Sequence, residues 1–291
     1  TFKGAKSMTA ILRICAVFLS LLLLVSGCSR TKVMYHFSDW LLLNRIDDYF
    51  ILNASQKPLR ENAVDRLMDW HRKQELPRLV AFLTEFKDRY RDGLSLEDIH
   101  WTRNKYRTFW RNFAKKELPE FSVFLSSVDE EQIRRLEAEM ERSNDYLIQQ
   151  AEMTEEELLE DTLDRYFDIL EEWLGSVDPR QKEQIRDWVR ADRPWVVLKI
   201  ENRRNFQNIF TGLLRSAKKQ REIERRLAMW IDTPEIAWTS RFKVRLEEKK
   251  KEWENILVKT DALCTPAQRT HALGMIQQYI DDFRDLAQTR V

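Results

Sequence analysis

The sequence predicts an all-α fold, an elongated antiparallel helical bundle with long C-terminal helices, and three observations lead there. Six glycines and seven prolines in 291 residues leave little material for the turns of an all-β chain. Charged residues make up 33% and aromatic residues 11%, with ten tryptophans, the composition of helices with charged outer faces and aromatic seams. Apolar residues return at steps of three and four along most of the chain, and no segment alternates as a half-buried strand would. Stripes of that spacing favour near-antiparallel packing.

The first segment reads as a lipoprotein signal peptide. Lys3, Lys6 and Arg13 precede or enter an apolar stretch, Ile11 to Val25, that only Arg13 and Ser20 interrupt. It ends in Val25-Ser26-Gly27-Cys28, small residues before a cysteine, which is the lipobox arrangement of an acylated amino terminus. A retained transmembrane helix needs about 20 apolar residues, more than this stretch offers, and the chain turns abruptly polar at Ser29-Arg30-Thr31-Lys32. The expected division is therefore 1–27 as signal peptide with upstream residues (Met8 the first translated one), 28–34 as acylated terminus and tether, and 35–291 as a helical periplasmic domain. Cys15 leaves with the signal and Cys28 is acylated, so Cys264 has no disulfide partner and the core alone must hold the domain. Ser29 stands where aspartate retains lipoproteins in the inner membrane, which favours the outer membrane, with the domain on its periplasmic face.

Helix starts are legible from capping chemistry. Val177-Asp178-Pro179-Arg180-Gln181 offers an apolar residue, a capping acid, proline in the first turn and glutamine three residues past the cap; Cys264-Thr265-Pro266-Ala267-Gln268 repeats it. Ser95, Asp129 and Thr154 lead variants of the same box. Helices are expected to begin within about two residues of all five. From Asp129 the stripe runs Ile133, Leu136, Met140, Leu147; from Thr154 it runs Leu159, Leu163, Tyr166, Leu170, Trp173 and stops at Gly175. After Pro194 the stripe Phe206, Ile209, Leu213, Ala217, Ile223, Leu227, Trp230 predicts one helix about 50 Å long. Phe242, Leu246, Trp253, Leu257 and then Leu273, Ile276, Ile280, Phe283 follow. Residues 75–83 echo 117–125, each with a Glu-Leu-Pro, which suggests a duplicated unit in which proline breaks one helix before the next.

Charge is segregated: 129–178 holds 18 acids against 4 bases, and 199–251 holds 15 bases against 7 acids. Two readings of the basic stretch compete. Arg215, Lys218, Lys219, Arg225, Lys249, Lys250 and Lys251 are the candidate patch for an anionic partner, or these faces pair with the acidic helices. Trp40, Trp173, Trp230 and Trp253 fall on apolar stripes and are expected in the core. His71 and Glu75 share a helix face, a spacing that serves metal binding or acid–base work; the plainer reading is a salt-bridged pair near a helix end, with only His36, His100 and His271 left to complete a site. Cys264 precedes a helix cap, where a small apolar residue packs. There is no Gly-rich phosphate loop and no Gly-x-Ser-x-Gly elbow.

Trp40-Leu41-Leu42-Leu43-Asn44-Arg45-Ile46-Asp47-Asp48-Tyr49-Phe50, Asp69-Trp70-His71-Arg72, Glu75-Leu76-Pro77, and Leu170 to Gly175 leading into Val177-Asp178-Pro179-Arg180-Gln181 and Trp188 together resemble a family of helical lipoproteins of Gram-negative bacteria, a domain of unknown function. Asn44-Arg45 depart from the bulkier apolar residues expected there. The resemblance implies an envelope address and a helical fold, and carries no activity or catalytic residue. The leading expectation is a non-enzymatic interaction or scaffold module, attached to the membrane through its lipid and meeting an envelope protein or anionic lipid, with no nucleic acid, metal or cofactor. The alternative is a binding module that takes a lipid or other amphiphile between its helices, favoured by a tryptophan-lined cavity. An enzyme would need His71, Glu75 and Asp48 to converge.

Overall fold

Capping chemistry places the helices where the sequence says it should. The computed structural model describes residues 30–217 and 219–289; the signal peptide, Cys28 and Lys218 lie outside the described residues. All regular structure among them is helical: α1 (Arg30–His36), α2 (Ser38–Tyr49), α3 (Gln56–Trp70), a π turn (His71–Glu75), α4 (Leu76–Tyr90), α5 (Leu96–Ser126), α6 (Glu130–Arg142), α7 (Asp145–Glu152), α8 (Glu155–Leu174), α9 (Pro179–Trp188), α10 (Arg193–Ser216), α11 (Gln220–Asp232), a 3-10 turn (Pro234–Ala237), α12 (Ser240–Ala262) and α13 (Pro266–Gln288). Ser95, Asp129, Thr154, Asp178 and Thr265 each cap the helix that follows, and each box is closed reciprocally by the residue three positions on. Gly175 ends α8 with φ +81°, a conformation open to glycine because it has no Cβ.

Four capping-box glutamines tie the helix ends together in pairs. Gln181 Nε2 donates to Gln268 Oε1 and to the Leu263 carbonyl, at 2.9 and 2.8 Å. Gln268 Nε2 returns the contact to Gln181 Oε1 at 2.9 Å and reaches the Ser176 carbonyl at 2.6 Å. The same joint recurs earlier. Gln132 Nε2 donates to Gln56 Oε1 and the Ile51 carbonyl, both at 2.7 Å, and Gln56 Nε2 donates to Gln132 Oε1 and the Ser127 carbonyl, both at 3.3 Å. In all four cases the carbonyl belongs to the residue two before the partner's cap. Gln56, the first residue of α3, qualifies through the same reciprocal bonds with Asn53: Gln56 N donates to Asn53 Oδ1 at 3.0 Å, and Asn53 N to Gln56 Oε1 at 3.1 Å.

Buried side chains form separate clusters around these joints. Phe50, Leu52, Leu125, Ile133, Phe210, Leu213, Ile223 and Leu227 make the first, from the end of α2 to α11. Tyr90, Leu174, Val177, Ala272, Ile276 and Ile280 join α4, α8 and α13. Leu163, Tyr166, Ile185, Val189 and Ile256 join α8, α9 and α12, and Leu158, Val196 and Ile200 fasten α8 to α10.

Three expectations are corrected. The stripe from Phe206 to Trp230 is not one helix: Ala217 is extended, φ −88° and ψ 110°. The Ser216 hydroxyl donates to the Gly212 and Leu213 carbonyls at 2.9 and 3.2 Å, competing with helix continuation, and the turn lets α10 and α11 both bury residues in the first cluster. The Glu-Leu-Pro echoes break nothing. At the first, Leu76 N donates to the carbonyl of His71, five residues back, and this wider π turn makes room for Pro77 without ending the helix. Pro119 lies inside α5, where burial of Leu118, Ser122 and Leu125 outweighs one missing backbone bond. Trp40 is not core; it is 60% exposed. Arg30 begins α1, so the helix starts inside residues 28–34.

Candidate functional site

Between α2, α3, α5 and α11 lies a cavity of about 580 Å³, within the range of about 300–1,000 Å³ for small-molecule sites. Leu42 and Ile46 of α2 and Ala63, Val64 and Leu67 of α3 form one side. The long helix α5 supplies the opposite wall with Trp110, Phe113, Ala114, Phe121 and Phe124, and Trp230 of α11 and Trp238, just past the 3-10 turn, close it. Helical spacing alone builds that wall: 110, 113/114, 117, 121 and 124 follow one face of α5. Trp110 and Phe121 are exposed at 54% and 43%, so large apolar surface faces open space instead of a packed neighbour.

Among the described residues, charged groups reach this lining from Arg60, Glu117 and Glu120. The Arg60 side chain is 11% exposed and its guanidinium holds Asp47 and Glu61, while its Nε has no hydrogen-bond partner. Glu120 pairs with Arg66 at 2.9 Å. Glu117 is half-buried, and burial pushes its carboxyl above the usual carboxylate range, against the pull of Lys116 and Arg66. The arrangement is an apolar chamber with a few charges at its edge, suited to hold hydrocarbon and to place a polar end outward.

The other predicted residues are dispersed. His71 Nδ1 lies 3.0 Å from the Tyr35 hydroxyl, and burial lowers the imidazole pKa. Glu75 is buried and accepts from Arg78 at 2.6 Å. Asp48 faces solvent and pairs with Arg45 at 3.5 Å. His71 and Glu75 share the π turn, where Glu75 partly opposes the lowering of the imidazole pKa, but they hydrogen-bond to different partners and Asp48 to a third, and among the described residues no three His, Cys, Asp or Glu side chains are grouped to hold a metal. Cys264 packs beside the second cluster, where burial raises its thiol pKa. Trp173 stacks on Tyr279 and Trp253 lies against Tyr166, while Trp230 divides between the first cluster and the cavity.

The basic candidates share out similarly. Arg215 grips Glu130 and Glu137 of the acidic stretch at 3.0 and 2.6 Å, and Arg204 holds Glu141. Lys249 is buried and reaches Asp192 at 3.2 Å, the residue that caps α10. Lys250 pairs with Glu247 at 2.6 Å, and Lys219, Arg225 and Lys251 are exposed. The cavity was not legible as residues in the sequence. Its signal was an excess of aromatics on α5 beyond one stripe.

No curated protein and no solved structure matches this chain. A family model does match it, over residues 48–243, a span that holds all of the cavity's lining except Leu42 and Ile46. By that match the chain belongs to DUF6279, a family of unknown function.

Proposed function

We propose that the protein is a lipoprotein of the Gram-negative envelope, lipid-anchored at Cys28 on the periplasmic face of the outer membrane, whose elongated antiparallel bundle receives the apolar part of an amphiphile. The cavity carries this reading. Burying hydrocarbon there is worth roughly 0.8 kcal/mol per methylene, so an acyl chain of about ten methylenes gains enough to offset the freedom lost on binding. A scaffold role requires no such chamber. Its continued support is the exposed apolar face of α1 and α2. The proposed role is non-enzymatic.

The test is direct. The full chain, purified from envelopes with mild detergent, is expected to release a lipid on organic extraction, and to bind a fluorescent fatty-acid analogue once that lipid is stripped. Ala114→Trp places a large side chain in the chamber and is expected to weaken probe binding at least about tenfold with an unchanged helical circular-dichroism spectrum. Equal binding by the filled variant would falsify the reading.

A further inference from the structure

Helices α1 and α2 follow each other through one turn residue, Phe37, which donates its N–H to the Met34 carbonyl and whose own carbonyl accepts from Leu41; together they make one rod-like segment. One side of the rod is fixed to the body. Lys32 pairs with Asp285 at 2.5 Å, Tyr35 meets His71, the Ser38 hydroxyl points to the Met68 sulfur at 3.6 Å, and Leu42 and Ile46 line the cavity. The opposite side is exposed among the described residues. Val33, Met34, Phe37, Trp40 and Leu41 are 39% to 60% exposed; Val33 and Met34 are neighbours on α1, Trp40 and Leu41 on α2, with Phe37 at the turn between them. That face changes character along its length, for the next turns present exposed Asn44, Arg45 and Asp48.

We infer that the apolar half of this face lies in the headgroup–acyl boundary of the membrane, with Trp40 at the interface. This rests on the reading of Cys28 as the acylated residue. Arg30 follows Cys28 by two positions, so a lipid at Cys28 keeps the start of α1 within about 7 Å of the bilayer. The exposed face is apolar where the anchor brings it to the membrane and polar where the rod leads away. No described helix is long and apolar enough to cross a membrane; an apolar stripe with tryptophan on a short helix lies in the interface plane instead. Because the inner side of α2 lines the cavity, the same helix sets the chamber beside the lipid surface.

The experiment reconstitutes the full chain into phosphatidylethanolamine–phosphatidylglycerol vesicles with brominated acyl chains, which quench tryptophan on contact. Trp40→Phe, at an exposed position that leaves packing intact, is expected to lose a clear share of the quenching seen for the wild type. Trp110→Phe reports separately on lipid that enters the cavity. Mass spectrometry of the N-terminal peptide, on the same sample, reads acylation of Cys28. An acylated chain whose quenching is unchanged by Trp40→Phe overturns the inference and leaves the lipoprotein reading standing. Loss of quenching in a chain with an unmodified Cys28 supports the face and removes the anchor. Trp40 shielded from brominated lipid in a chain that retains Ile11 to Val25 would mean that this segment covers the face, and also overturns it.

Discussion

The two glutamine joints share their amide–amide and amide–carbonyl bonds, Gln56 adding one to the Ser127 hydroxyl at 3.0 Å, yet the interiors beside them differ. Next to Gln56–Gln132, Phe50 and Phe124 face a chamber of about 580 Å³ whose edge carries Glu117. Next to Gln181–Gln268 the space among Tyr90, Tyr166, Trp173 and Cys264 is about 270 Å³, and the carboxylate there, Asp261, is fully engaged. Asp261 accepts from the Leu94 N–H at 2.7 Å and from both terminal nitrogens of Arg269 at 3.0 Å, with the guanidinium 4.8 Å from the Tyr90 ring centre. Joints of one design therefore set the helix ends, while the side chains beyond them decide whether the interior closes. The interior beside Gln181–Gln268 is filled further by its own side chains than the one beside Gln56–Gln132.

The largest expected effect breaks the closed side. Asp261→Ala strands the Leu94 N–H and the Arg269 charge, and is expected to cost about 3 kcal/mol, near the low end for a buried pair that loses one member, because Arg269 keeps 19% of its side chain exposed. A urea titration reads it as a lower midpoint at unchanged slope. A loss below about 1 kcal/mol would place the pair in the class of surface ion pairs and end the contrast with the cavity.

The joints themselves come next. Gln181→Ala or Gln268→Ala opens one half of a capping box and leaves buried partners unsatisfied, about 2 kcal/mol each. The second deletion has no partner left to strand, so the double variant should cost less than the sum by about 1 kcal/mol. Gln56→Ala and Gln132→Ala should couple to the same extent. Additive losses in one pair and coupled losses in the other would show that the likeness of the joints is geometric only.

Much of this frame was legible in advance. An apolar residue, a capping side chain and a glutamine three positions on mark Val128-Asp129, Val177-Asp178 and Cys264-Thr265, and the local chemistry of a cap does not depend on distant packing. Leu52-Asn53 obeys the same rule but went unread, because Ala54-Ser55 add neither proline nor acid to the first turn. The break after Ala217 had a faint signal, a step of six to Ile223 where helical stripes step by three or four. The exposed face of α1 and α2 had none: from Trp40 to Leu43 every residue is apolar, so periodicity cannot say which side turns inward. The chamber is a volume between helices far apart in sequence, and stripes specify faces, not the gaps between them.

The smallest effect has the opposite sign. Glu117 faces the chamber without an ion pair among the described residues, and burial raises its pKa, with Glu120 adding to the rise and Lys116 and Arg66 opposing it. A carboxyl whose folded pKa lies above its unfolded value of 4.5 contributes its stability below that value and loses it as pH rises through the folded pKa. At neutral pH the wild type therefore carries a cost that Glu117→Gln removes. The variant is expected to be more stable at pH 7 by less than about 1 kcal/mol, since the group is only half-buried and solvent screens it, and the advantage should vanish below about pH 4.5, where the carboxyl is protonated in both states. Glu120→Gln, which breaks the pair with Arg66, should show no such gain. Thermal melts of the three proteins across pH 4 to 8 decide it: a Glu117→Gln advantage that grows on acidification would mean that this carboxylate is stabilised by its surroundings, and that the cavity edge is electrostatically as complete as the site around Asp261.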